Sequence, residues 1–457
     1  MLPFLRLLLF TWLSCGAPTP QHAALLYGQQ RLAISDDGSH IVNTATGRPF
    51  FYLGDTAWEL LHRTEEEEAR MYLSDRAEKG FNVIQTVVLA ELEGLTAPNS
   101  YGELPLVDQN PTQWNEAYFT NVDRVAEMAD SLGIFLGLLP TWGDKFNQKW
   151  GVGPEVFTPE NAGVYGRMLG ERYRDHNVIW ILGGDRNPEN EEDFAIIRAM
   201  AAGLEEAVGD DQLLTYHPQG GYKSSDFFAE DEWVDFHMFQ SGHGRQDDKQ
   251  NYDFPREVRQ AVPDKPVVNG EPAYEDHPIN WRPVNGWFDD FDTRQAAYWS
   301  VLSGTAGHTF GNHNIWQMWQ PGREAISSAR TPWKEAVHYP GAAQMGHLRA
   351  LMESLPYYDL RPDGNLLNNA PNSSGRETMV TRTEDMNHLL VYTPYGDELR
   401  MDAGKMSPAS VYEWLNPRSG ERIPFTPEEV GGELVFDPPF EPGRGNDWVL
   451  VGRRFYD

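Results

Sequence analysis

The chain has 457 residues, enough for one large α/β domain and a smaller companion, and 12% of them are aromatic, with 15 Trp among them. Its 37 basic residues against 68 acidic ones leave a formal charge of -31, which excludes nucleic acid and anionic membrane surfaces as general partners. An acidic ligand would need local cations such as Arg186, Arg245 or His243, and the single cysteine, Cys15, excludes a disulfide framework.

In chain order, the first feature is an apolar run ending at Ser14 with one positive charge, Arg6. It is too short to span a bilayer and predicts a secretory signal within residues 1–20. Cys15 follows directly and is placed for lipid attachment, so a lipoprotein anchored to a membrane through Cys15 stands beside ordinary signal cleavage. Both predict export, to the periplasm, the outer membrane or the medium.

Over residues 25–355 short apolar runs alternate with amphipathic stretches, the pattern of repeated βα units. Segment 50–53 is the first predicted strand, and Thr64 with Glu67 three residues on predicts a capped helix after it. Segments 81–89 and 134–139 are the second and third strands, the latter closed by Pro140, and Thr158 before Pro159 marks the next helix start. Strands at 178–182, 213–216, 234–238, 265–269 and 306–310 bring the count to eight, which predicts an α/β fold of the (β/α)8 TIM-barrel type. A doubly wound open sheet is the competing fold, and the lack of a Gly-rich phosphate loop after the first strand counts against it. After Pro356 the texture turns to short β-rich segments between Pro, Gly, Asn and Asp, at 379–382, 388–392, 411–414, 433–436 and 448–451. They predict a small antiparallel β-sandwich over residues 356–457.

In a parallel barrel the active site lies at the C-terminal ends of the strands. Just after the eight apolar runs stand Asp55 and Trp58, Glu91, Trp142 and Asp144, Asp185 and Arg186, His217, Gln240 and His243, Glu271 and Tyr274, and finally His308, His313 and Trp316. This mixture of carboxylates, imidazoles and aromatics suits sugar chemistry better than hydride or phosphoryl transfer. Glycosidic hydrolysis needs one carboxylic acid to protonate the leaving oxygen and one carboxylate to attack the anomeric carbon or activate water. Asp185 and Glu271 follow the fourth and seventh strands, on opposite sides of a barrel mouth, and are the candidate pair. A lone strand-end carboxylate is more often a helix cap or a loop acceptor, so the pairing carries the case. The histidines offer a metal site as a rival, but His237 with His243 and His308 with His313 lack the ligand spacing of zinc or iron sites, so neither metal nor other cofactor is expected. No Gly-x-Ser-x-Gly elbow supports a serine nucleophile.

Taken together these segments resemble the apiosidase-like glycoside hydrolases: 52–60 with Asp55 and Trp58, 88–94 with Glu91, 182–188 with Asp185, 240–243 with His243, 269–275 with Glu271 and Tyr274, and 307–311 with His308. Segment 340–347 resembles the family's last barrel helix, and the tail around Trp414 and Trp448 is similar to the β domain that commonly follows, whose collagen-binding label is weak evidence of any ligand. The resemblance implies a metal-free mechanism on Asp185 and Glu271 and release of apiose from rhamnogalacturonan II of plant pectin. Asn269 and His237 stand where the family usually has Asp and Asn, two departures expected to bear on the sugar pocket. The resulting reading is a retaining exo-glycosidase with a plant cell-wall oligosaccharide or polysaccharide as its partner, Glu271 as nucleophile and Asp185 as acid/base. Its expected pocket comprises Asp55, Trp58, Glu91, Trp142, Arg186, His217, Gln240, His243, Tyr274, His308 and Trp316. An endo-acting β-glycanase on the same barrel and a non-catalytic carbohydrate-binding protein are the alternatives. A short pocket closed by loops favours the exo-glycosidase, and an open aromatic cleft favours the endo-glycanase.

Overall fold

A computed structural model describes residues 30–369, 375–406 and 410–454; the apolar leader and Cys15 lie outside them. Eight parallel strands form one curled sheet: β1 (Tyr52–Thr56), β2 (Val83–Leu89), β3 (Phe135–Thr141), β4 (Val178–Leu182), β5 (Leu214–Tyr216), β6 (His237–Gln240), β7 (Val267–Asn269) and β8 (Gly307–Phe310). Their residues are buried on both faces, which is why they read as continuous apolar runs rather than alternating ones. The order is β5-β4-β3-β2-β1-β8-β7-β6, with β1 paired to both β2 and β8. The first strand beside the last excludes a doubly wound sheet, whose order reverses at an internal switch point.

Between β5 and β6 no ladder forms among the described residues. β5 is only 3 residues long, and the short strand Tyr222–Lys223 pairs antiparallel with β6 as the ninth member of the sheet. Asp235 bridges the seam: its N–H donates to Leu214 O (2.9 Å) and its Oδ2 accepts from Leu214 N (2.7 Å). Strand edges also move relative to expectation. β3 runs on through Pro140 to Thr141, and β6 starts at His237 rather than at Val234 because Asp235 is spent on the seam.

The outer layer consists of α1 (Glu66–Glu78), α2 (Glu116–Ser131), α3 (Pro159–Tyr173), α4 (Glu191–Val208), α5 (Gln250–Ala261), α6 (Asp290–Leu302) and α7 (Pro340–Glu353), with shorter helices between. The cap of α1 lies one residue later than expected: Glu68 Oε2 accepts from Glu65 N (3.1 Å), while the Thr64 hydroxyl donates to Leu60 O (2.7 Å) and closes the turn before it. Thr158 caps α3 as expected, with Pro159 at the first helical position. α3 and α4 lie so close that a Cβ on Gly203 would stand 2.1 Å from Gly163 O. Inside the curl, Tyr52, Val83, Phe135, Ile179, Phe236 and Val268 share one core, closed below by Leu32 and Ile41 of an N-terminal hairpin.

After residue 360 every pairing is antiparallel. Six strands in the order Arg361–Pro362, Met379–Arg382, His388–Thr393, Trp448–Arg454, Ser410–Leu415 and Arg422–Phe425 face a second sheet of Leu399–Asp402, Glu433–Phe436 and Glu428–Val430. Val391, Trp414 and Leu450 from the first sheet meet Met401 and Phe436 from the second. The outer face of the larger sheet lies on α6 and α7: Tyr392 stacks on Tyr298 with ring centroids 4.7 Å apart, and buried Arg294 donates to both oxygens of Asp447 (3.0 and 2.8 Å). Among the described residues no helix is long and apolar enough to cross a membrane.

Candidate active site

The C-terminal strand ends surround a cavity of about 760 Å³. Trp58 after β1, Glu91 after β2, Trp142 after β3, Asp185 after β4, Gln240 and His243 at the end of β6, Glu271 and Tyr274 after β7 and Trp316 after β8 all line it. Trp58 donates its indole N–H to Tyr274 Oη (3.1 Å) and packs on Trp142 at a centroid distance of 5.2 Å, so the aromatic wall is fixed by its own contacts.

Glu271 is 5% exposed. The turn that delivers it is pinned by Gly270 N donating to Phe239 O (2.8 Å) and Gln85 Nε2 donating to Gly270 O (2.8 Å). His243 donates from Nε2 to Glu271 Oε1 (2.9 Å), and His217 Nε2 stands 3.2 Å from Glu271 Oε2, off the line of a full hydrogen bond. His217 Nδ1 accepts from Asp185 N (3.3 Å), which leaves the ring proton on Nε2, facing Glu271. Burial alone would raise the Glu271 carboxyl, but the two imidazoles outweigh it and hold the group at about 2.

Asp185 sits opposite in a left-handed backbone conformation, φ 52, after Gly183 and Gly184 at φ 101 and 72. A Cβ at Gly183 would meet His217 O at 2.4 Å, so this turn admits only glycine there. Asp tolerates the left-handed region, and the turn throws its carboxyl over the cavity. Oδ2 accepts from Trp150 Nε1 (2.8 Å). Burial, and then the charge of Glu271, push the Asp185 carboxyl up to about 6. Glu91 shares the cavity, and its carboxyl has no hydrogen-bond or ion-pair partner among the described residues; burial, then Asp185 and Asp144, raise it well above the usual carboxylate range.

Four of the expected pocket residues do not line the cavity. Strand side chains alternate, and Asp55 falls on the outer face of β1, where it accepts from Tyr72 Oη (2.7 Å) and pairs with Arg76 of α1. His308 shares the outer face of β8 with Phe310, and burial takes its imidazole down to about 3. Arg186 is fully buried behind the loop that follows β3, where it donates to Asn147 O (2.6 Å) and Trp150 O (2.8 Å). His217 lies beneath the surface, against Glu271 and Asp185 and edge-on to Trp58 at a centroid distance of 5.5 Å. Sequence reasoning missed Trp150, Gln219, His277 and Trp281, which also line the cavity. Trp150, His277 and Trp281 lie well beyond the strand ends, in connecting loops where no periodicity points inward, whereas Gln219 stands three residues past β5, the offset at which Asp185 follows β4.

The sequence profile of a family described as "Apiosidase-like, catalytic domain" matches residues 35–359. The chain belongs to the apiosidase-like family. A second profile, described as "Putative collagen-binding domain of a collagenase", matches residues 361–452. Two solved structures resemble nearly the whole chain. One, titled "Glycoside hydrolase", has a TM-score of 0.82 at 29% identity, over 94% of this chain and 97% of its own. The other, a glycoside hydrolase family 5 protein from Bacteroides vulgatus ATCC 8482, has a TM-score of 0.83 at 29% identity, over 93% of this chain and 94% of its own. A family 5 mannosidase from Rhizomucor miehei shares the fold at 12% identity, with a TM-score of 0.52 over 71% of this chain and 98% of its own. No curated protein matches the sequence. This apiosidase-like chain is thus a glycoside hydrolase. Its two departures from the family pattern lie outside the cavity lining: Asn269 donates to Ser241 Oγ (3.1 Å), Asn251 Oδ1 (3.1 Å) and Ser300 Oγ (3.2 Å), and His237 Nδ1 meets Ser224 Oγ (2.8 Å).

Proposed function

We propose that this glycoside hydrolase is a retaining exo-enzyme that releases a terminal pentose, apiose, from rhamnogalacturonan II side chains of pectin. Its curled sheet then serves as a closed (β/α)8 barrel whose β5–β6 seam is bridged by Asp235. The observation that carries the reading is two carboxylates lining one cavity in unlike surroundings: Glu271 takes His243 on Oε1 and has His217 3.2 Å from Oε2, which holds it low, whereas Asp185 takes one indole donor on Oδ2 and is raised by burial and by Glu271. Glu271 is ionised and attacks the anomeric carbon as the glycosidic C–O bond breaks, while Asp185 gives its proton to the leaving oxygen. Water, deprotonated by Asp185, then attacks the same carbon and releases Glu271. Support for exo action comes from the walls: loops after β3, β5, β6, β7 and β8 add Trp150, Gln219, Arg245, Trp281 and Ser327 to the cavity lining, the loop-built surround that a chain-end binder needs. The apiose assignment rests on the family match.

Chromatography of products from pectic oligosaccharides tests the substrate: free apiose is expected, and internal cleavage products would favour an endo-glycanase. Glu271→Ala should abolish turnover on every substrate. Asp185→Ala should spare the first step with an activated aryl glycoside, and azide should then speed breakdown of the intermediate by replacing base-activated water. Activity needs ionised Glu271 and protonated Asp185, so kcat/KM on the natural oligosaccharide should fall as pH rises through about 6. Near-normal Glu271→Ala activity would overturn the mechanism.

A further inference from the structure

We propose that Trp150 is a positioning residue for Asp185: its indole N–H, fixed by a buried charged scaffold, claims Oδ2 and leaves Oδ1 as the oxygen that delivers the proton. The inference rests on the acid/base reading of Asp185.

Trp150 is 37% exposed at the cavity wall, yet its Nε1 is 2.8 Å from Asp185 Oδ2. An exposed loop aromatic keeps such a contact only where its backbone is held. Three charged side chains, all fully buried, hold it. Asp144 Oδ2 accepts from Val152 N (2.9 Å) and Gly153 N (2.8 Å), and both Asp144 oxygens take Lys145 Nζ at 2.7 Å. Arg186 donates to Asn147 O (2.6 Å) and to Trp150 O itself (2.8 Å), and its guanidinium lies 4.1 Å from the centroid of the indole ring. Gly151 stands at φ +86, and a Cβ there would meet Asp144 Oδ2 at 2.6 Å, so the loop closes down on this carboxylate.

Burying three charges is expensive, and here the Asp144–Lys145 pair and the hydrogen bonds to loop backbone offset that cost, which ties the charges to this one loop conformation. None of Asp144, Lys145 and Arg186 lines the cavity; of the loop they secure, Trp150 is what reaches it. A neutral carboxylic acid accepts better on its carbonyl oxygen than on its hydroxyl, so a donor fixed on Oδ2 favours the proton on Oδ1. The same N–H favours the ionised form and so opposes the burial that raises Asp185. Scaffold and indole together fix where the proton sits and limit how tightly it is held. The other groups facing Asp185 are Glu271 and Glu91 across the cavity and His217 and Arg186 beside it; of these only Arg186 touches Trp150, and a phenyl ring keeps it both a ring to stack on and the backbone carbonyl it donates to.

The test is Trp150→Phe in the full chain, which keeps a ring and deletes the N–H. The basic limb of kcat/KM on a pectic oligosaccharide should move up by about half a unit to one unit, because the ionised form loses a donor. Turnover of that substrate should fall about 10-fold or more, while an aryl glycoside needing no protonation keeps its first step within about 3-fold. A carboxyl 13C NMR titration of Asp185, assigned against Asp185→Asn, should show the same upward shift without turnover. Trp150→Leu, which likewise lacks a side-chain donor, carries the same expectation should the Phe variant fold poorly. A folded variant whose basic limb and NMR titration stay at the wild-type position overturns the proposal, as does equal loss on both substrates. Wild-type behaviour of Asp185→Ala would instead overturn the acid/base reading, whereas an acid/base signature for Asp185→Ala with an unmoved Trp150→Phe profile removes only this inference.

Discussion

Asp185 combines a left-handed backbone, partial burial and an opposing carboxylate, three features that each lower stability. Its folded pKa of about 6 lies above the ordinary 3.8, so its ionised form is disfavoured in the fold relative to the unfolded chain. The resulting loss is absent below the unfolded value and complete once pH has risen through about 6. Asp185→Asn should therefore melt higher than wild type at pH 7, by a difference on the order of 2 kcal/mol, and close to wild type at pH 4. Calorimetry at the two pH values checks this. An equal gain at both would place the penalty in the backbone turn instead of the charge.

At the scale of elements, the α3–α4 pair sets the spacing of the helical layer next to the turn that carries Asp185. Its contact is backbone to backbone at Gly203 and looser at Gly163, where a Cβ would stand an ordinary 3.4 Å from Ala199 O. Both substitutions to Ala gain helix propensity, up to about 1 kcal/mol. Only Gly203→Ala drives an atom to 2.1 Å from a carbonyl oxygen, which forces the helices apart. Gly203→Ala should lower stability by about 2–3 kcal/mol, and Gly163→Ala should be neutral or stabilising. Parallel thermal melts of the two variants decide it; similar melting points would show that the pair yields without penalty.

Across the whole molecule, the antiparallel sheets brace the helices α6 and α7. Tyr298, Met345 and Leu348 are buried with Tyr392 and Val449, and Arg294 pairs both with Asp290 of its own helix and, across the junction, with Asp447. Asp447→Ala leaves Arg294 buried with one fewer partner and should destabilise by about 3–5 kcal/mol. Among the described residues none that lines the cavity lies after Ser327, so the kcat of the folded variant should stay at the wild-type value. Urea unfolding with kcat measured on the same sample separates the two effects. A drop in kcat without loss of fold would mean that the tail acts on the active site.

Strand and helix identities were legible because fully buried parallel strands must be apolar throughout and helix starts need capping chemistry, as Val178–Leu182 and Thr158 show. The carboxylates Asp185 and Glu271 were legible for a related reason: in a parallel sheet a polar residue just past an apolar run sits at one end of the curl. What a strand-end position does not encode is the face. Asp55 and His308 fall on outer faces because the side-chain period of two is counted from where pairing begins, and pairing is a property of the neighbouring strand. Loop contributions were equally out of reach. Trp150 reaches Asp185 only because Asp144, Lys145 and Arg186, brought together from either side of β4, hold its loop by hydrogen bonds to backbone groups that look alike in any sequence. The direction of the two pKa shifts was likewise a tertiary outcome: Glu271 is buried and Asp185 half-buried, and the difference between them is that two imidazoles from other strands converge on Glu271, while Asp185 faces the charge that results.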